Sequence, residues 1–208
     1  MTSELEQIIS ENRLGTYLRA TSFDPARALA LYAWNMKISS SFMPLFSAAE
    51  ICLRNRISSK LVHQYGQHWW NSKYFLELAG PETKGKIKRA ENSVLQNGHQ
   101  PDNGRMVAEL TFGFWDNMLL PKYASDIWTP LHACFPDLPS HLDLTGLREK
   151  CGRVKDLRNR ISHHEPIFGR DISQDYSSCL EFISWLSKAK AEWIKPHCSV
   201  MVLMRQKP

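Results

Sequence analysis

Arg158, Asn159 and His163 fall within the stretch LRNRISHHEP at residues 157–166, and their side chains suit phosphodiester chemistry. A guanidinium can hold a phosphate through two parallel hydrogen bonds and stabilise the charge that grows in the transition state. An imidazole titrates near neutrality and can take the proton of a sugar 2′-hydroxyl. An amide beside them can position a phosphate oxygen or the ring. Cleavage of RNA by its own 2′-hydroxyl needs these groups and no metal. A plainer reading also holds: His163 and His164 at a helix C-terminus lie near the negative end of its dipole. As metal ligands the pair is badly spaced, because adjacent histidines point about 100° apart on a helix. The remaining histidines, at 63, 68, 99, 132, 141 and 197, supply no partner at helical ligand spacing. No metal and no cofactor are expected.

The residues sit on a helix whose buried side is legible. Leu147, Cys151, Val154, Leu157 and Ile161 recur at i, i+4, i+7, i+10 and i+14, which marks one apolar face. Arg158 borders that face, so it is either paired at the core margin or aimed into a cleft. Asn159 and His163 share a side at i, i+4. Arg158 and His163 are about 140° apart on an ideal helix. They converge only if the helix end distorts or a second subunit completes the site. Pro166 disfavours helical geometry at Glu165, so the helix is expected to end near His163.

The hexamer LRNRIS also occurs at 53–58. The copies are 104 residues apart and their flanks, AAEIC and GRVKD, do not align, so this is no tandem repeat. Glu50 and Arg54 lie at i, i+4 beside an apolar stripe. One reading is a buried structural ion pair; the other is that Arg54 or Asn55 orients Arg158 and His163 from a neighbouring helix.

The rest of the chain reads as helices. Ser3-x-x-Glu6 fits a capping box. Asp24-Pro25 fits an N-cap followed by proline. From there a helical pattern runs to Gly66, broken near Ser39–Ser41 and Pro44. Further helices are predicted between Pro81 and Gly98, over 104–120, over 125–135, from Asp143 to about His163, and from Ser173 through Trp193. The tail SVMVLM (199–204) is read as a short strand or a docked extension. The expected fold is all-α, a bundle of antiparallel helices in one domain over 1–208.

Bulk properties narrow the function. Hydrophobic residues make up 43% of the 208 positions, with seven Trp and nine Phe, enough for a packed core. No apolar run approaches the ~18–20 residues of a membrane helix, and MTSELEQIIS lacks the basic start of a signal peptide. A cytoplasmic protein without membrane contact is expected. Five scattered cysteines without CxxC spacing fit reduced thiols. A net charge of +5 and a pI near 9.0 suit an anionic partner such as RNA, and equally an ordinary basic protein. Two clusters are candidates for phosphate contacts: Lys84, Lys86, Lys88 and Arg89, and, around the motif, Arg153, Lys155 and Arg160. Trp34, Trp69, Trp70, Phe112, Phe114 and Trp115 are either core or platforms for bases.

LRNRISHHEPIF resembles the C-terminal signature of the Abi-like abortive-infection proteins, a branch of the HEPN superfamily of helical ribonucleases. Sites of that superfamily carry an Arg, an adjacent polar residue and a His that follows the Arg after four to six intervening residues. Arg158, Asn159 and His163 fit, with four residues between. YAWNMKIS (32–39), AAEICLRNRI (48–57), YGQHWW (65–70) and LTFGFWDNML (110–119) look like the family's other blocks in order. The first LRNRIS thereby falls in a block of its own. The resemblance spans about residues 25–190. It implies a HEPN-type helical bundle, metal-independent endoribonuclease activity with His164 and Glu165 supporting the first histidine, and a homodimer with the active residues near its interface. It also implies a toxin-like role in bacterial defence, with an antitoxin or regulatory RNA as a further partner. The alternative is a non-catalytic RNA-binding or protein-interaction module.

Overall fold

The Asp24-Pro25 start behaves as its chemistry dictates. The Asp24 carboxylate accepts from the N–H groups of Ala26 and Arg27 at 2.9 and 3.1 Å, satisfying two orphan donors. In the computed structural model, which describes residues 8–208 apart from the Glu11 side chain, the chain is all-α. After α1 (Glu11–Ala20) come α2 (Pro25–Ser41) and α3 (Met43–Tyr65), divided where Ser41 and Pro44 foretold and closed by Gly66 at φ 85°. The Ser3–Glu6 capping box lies outside the described residues.

Elsewhere the boundaries shift, each for a local reason. The basic helix runs from Pro81 as expected, but a further helical segment that Ser72 caps precedes it, and the two, meeting at a non-helical Gly80 (φ 76°), make up α4 (Lys73–Gln96). The span 104–120 divides into α5 (Asn103–Glu109) and α6 (Phe112–Asn117), since Leu110 and Thr111 are extended. Of 125–135 only α7 (Leu131–Cys134) is helical, after Pro130. The motif helix, α8 (Leu144–Ser162), has the predicted bounds, with Asp143 accepting from the Gly146 N–H at 2.9 Å. The last long helix is two: α9 (Ile172–Leu186), capped by Asp171, and α10 (Lys188–Ile194), capped by Ser187. The tail forms a short helix, α11 (Val200–Met204), not a strand. It docks on α2, where the Trp34 indole N–H donates to the Leu203 carbonyl at 2.7 Å.

The core explains the aromatic count. Trp69 meets Trp70, Phe75, Phe114 and Trp115 with ring centroids 5.5–6.4 Å apart, edge-on to Trp70 and Phe75 as ring quadrupoles favour and tilted against the other two. All six aromatics considered as base platforms are buried, so they pack the protein and face no ligand. α9 lies against α3 and α8, and α6 packs on both α3 and α8. No described helix is long and apolar enough to cross a membrane.

Candidate active site at the end of the motif helix

The apolar face of α8 is buried as its spacing required: Leu147, Cys151, Val154, Leu157 and Ile161 are all in the core. Lys155, on the adjoining side, forms an ion pair with the buried carboxylate of Asp116 on α6. Burial, together with that carboxylate, pushes the Cys151 thiol well above its ordinary range, so the thiol stays neutral and inert. This Cys151–Asp116–Lys155 cluster fixes α8 against α6 one turn before Arg158.

Arg158 and Asn159 are half-buried and His163 is exposed. An Arg158 Nη donates to the Asn159 Oδ1 at 3.4 Å, a long contact that leaves most of the guanidinium's donors unused. Arg158 and Asn159 thus touch within the last turns of α8, and His163 is the residue that caps the helix.

The helix ends in a Schellman motif. The His164 N–H reaches back to the Ile161 carbonyl, and the Glu165 N–H to the Arg160 carbonyl, both at 2.9 Å. His164 sits at φ 56°, in the left-handed position that glycine usually fills. A β-carbon there costs about 1–2 kcal/mol. Glu165 turns back to Arg160 at 3.3 Å. The next residues are held from across the fold: Asn35 Oδ1 accepts from the N–H groups of Ile167 and Phe168 at 2.8 and 3.1 Å. Lys207 donates to the Phe168 carbonyl at 2.9 Å. Asn35 is a site-positioning residue that sequence reasoning missed. Its signal was a polar side chain among Leu31, Trp34 and Ile38 on the buried face of α2.

Beside this turn lies a groove of about 690 Å³. Tyr17, Tyr32, Met36, Met43, His164 and Glu165 are among the side chains that line it. Met36 and Met43 are each about half exposed. Burial pushes the Tyr17 hydroxyl up to about 12, so it remains a donor at neutral pH.

The supporting residues expected from the first LRNRIS, Glu50, Arg54 and Asn55, all lie on α3. Glu50 and Arg54 are half-buried on α3, but among the described residues they form no ion pair. The Arg54 Nε is buried with no hydrogen-bond partner among the described residues. Asn55 is exposed on another side of α3. No hydrogen bond links any of the three to Arg158, Asn159 or His163.

The basic clusters are more neutralised than their sequence suggests. Lys86 pairs with Glu82 at 2.8 Å, and Lys88 with Glu91 at 2.9 Å. Arg160 pairs with Glu165. Such exposed pairs are worth about 0–1 kcal/mol, so these cations exchange readily for a phosphate. Lys155 differs, because releasing it would strand a buried carboxylate; it is a structural residue in place of the phosphate contact expected. Lys84, Arg89 and Arg153 are exposed and form no ion pair among the described residues, though Arg153 shares its groove with Asp156, Asp171 and Asp175. α4, which carries Lys84–Arg89, packs chiefly on α5 and the Trp69 turn, away from the motif helix. Among the described residues no group of three His, Cys, Asp or Glu side chains is placed to hold a metal ion. No protein-family model, no curated protein and no solved structure matches this chain.

Proposed function

We propose that the chain is a metal-independent endoribonuclease of the HEPN type, in its Abi-like branch, working as a toxin-like defence effector. The observation that carries this reading is the end of α8, where half-buried Arg158 and Asn159 touch each other one turn before an exposed His163 and most of the guanidinium's donors have no partner among the described residues. In the reaction, the 2′-oxygen of RNA attacks the adjacent phosphorus while His163 accepts its proton. Arg158 holds the phosphate oxygens, and Asn159 positions the phosphate or the ring. The 5′-oxygen leaves and takes a proton from water. The products are a 2′,3′-cyclic phosphate and a 5′-hydroxyl, and DNA, which lacks the 2′-hydroxyl, is untouched.

The separation of Arg158 and His163 around the helix supports a homodimer in which each subunit completes the other's site. The half-exposed Met36 and Met43 beside His164 and Glu165 suit such an interface. The same groove favours the second reading, a protein-interaction module without catalysis. An antitoxin or regulatory RNA would act on the same face.

Purified protein incubated with RNA in excess chelator decides between them. Cleavage that gives cyclic-phosphate ends and is lost in His163→Ala is expected. Cleavage that leaves 5′-phosphate ends, or that requires added divalent metal, would mean that water is the nucleophile and overturn the mechanism. No cleavage by a folded dimer would leave the interaction module. A monomer by light scattering that still cuts RNA would remove the shared site.

A further inference from the structure

The first LRNRIS copy builds a different surface. Asn55, Arg56, Ser59, Lys60 and His63 follow one another along one side of α3 and line a groove of about 680 Å³. Pro130, Ala133, Cys134 and Leu186 form the apolar part of its wall. No carboxylate lines this groove, and among the described residues Arg56, Lys60 and His63 form no ion pair. The groove between α8 and α9, in contrast, sets Arg153 and Arg170 against three aspartates.

Arg56 is already oriented. Its Nε donates to the Leu186 carbonyl at 3.0 Å, which leaves the paired Nη groups for an anion. Lys190 supplies a further positive charge near Cys52 in the same groove, its ammonium lying 3.9 Å from the centre of the Trp193 ring. Cations gathered in a partly enclosed space without counter-charge repel one another, and a bound anion relieves that repulsion. The volume is that of a small-molecule site.

We propose that this groove binds a nucleoside phosphate, its phosphate on Arg56, Lys60 and His63 and its sugar or base against Pro130, Ala133 and Leu186. The ligand is either a free nucleotide or one unit of an RNA strand. The proposal is independent of ribonuclease activity.

Calorimetric titration of the full chain tests it, with ATP, inorganic pyrophosphate and a six-nucleotide RNA as probes. The RNA arm uses the Arg158→Ala protein, so that cleavage does not consume the probe. The key variant is Lys60→Gln/His63→Gln, because neither side chain makes a hydrogen bond within the fold and circular dichroism should be unchanged. ATP or the hexamer should bind in the micromolar range, and the double variant should weaken it roughly ten-fold or more, as expected for lost charge-assisted hydrogen bonds. Lys73→Gln, on α4, should not weaken it. Binding of ATP alone assigns a free nucleotide, and binding of the hexamer alone assigns an RNA strand. Binding of neither, or equal binding by the double variant, overturns the site. Pyrophosphate binding as tightly as ATP overturns the nucleoside part.

Discussion

The two LRNRIS segments share one buried anchor and differ in how they set their polar residues. Leu53 and Ile57 in α3, like Leu157 and Ile161 in α8, are buried at i, i+4, and the following arginines, Arg54 and Arg158, are half-buried at the edge of that face. The difference begins inside the hexamer, where Asn55 is exposed and Arg56 half-buried but Asn159 is half-buried and Arg160 exposed, and it widens at the serine. Ser58 is buried in mid-helix and donates to Asn103 at 3.2 Å, while α3 continues to Tyr65 and closes on a glycine. Ser162 is exposed and is the last residue of α8, which closes on His164 at φ 56°. The hexamer is therefore a helical anchor with a marginal arginine. What surrounds it decides whether the helix runs on past the hexamer, as in α3, or ends there facing solvent, as in α8.

The largest expected effect tests the shared part. Leu53→Ala and Leu157→Ala should each cost about 2–5 kcal/mol through the cavity they leave, measured by denaturant unfolding. If only one of them destabilises, the two anchors are not equivalent.

The arginines should then separate the copies. Arg158→Met keeps the aliphatic stem and should cut the cleavage rate roughly 10²–10³-fold, the scale of losing one donor to a developing charge, with little change in stability. Arg54→Met should leave cleavage intact. It should also hold or raise stability, because the buried Nε without a partner carries a desolvation cost of about 1–3 kcal/mol. A rate loss at Arg54 as large as at Arg158 would place both copies in one site.

The smallest effect concerns the helix ends. His164→Gly should raise stability by about 1 kcal/mol, because glycine adopts positive φ without a clash. It should also lower cleavage if the second imidazole supports the first. Gly66→Ala should do the reverse to α3, destabilising it at φ 85°.

How much of this was legible follows from how local each signal is. Asp24, Asp143, Gly66 and Pro166 act within a few residues, so their helix ends could be read directly. The end of α8 at His163 was among them. α1 escaped because Ser10 makes no side-chain cap. The division of 104–120 escaped because nothing in Leu110 or Thr111 breaks a helix, and Ser187 was hidden within a continuous apolar pattern. Arg158, Asn159 and His163 were legible as types at a spacing. Asn35 was not, because its partners are 132 and 133 residues away. Nor was the fate of Lys155, since a basic side chain in sequence carries no mark of the buried carboxylate it meets.

The Asn35 clamp has a kinetic consequence. Its two hydrogen bonds close a very long loop, and long-range contacts form late because chain entropy is spent before they reward it. During refolding, α8 can become helical from local interactions and present Arg158 and Asn159 early. The turn at His163–Phe168 acquires its fixed shape only when α2 has docked. Hydrogen exchange during refolding should therefore show the Ile167 and Phe168 amides protected after those of α8. A peptide of residues 144–170 carries every proposed reacting group but lacks the Asn35 side-chain oxygen that holds the Ile167 and Phe168 amides.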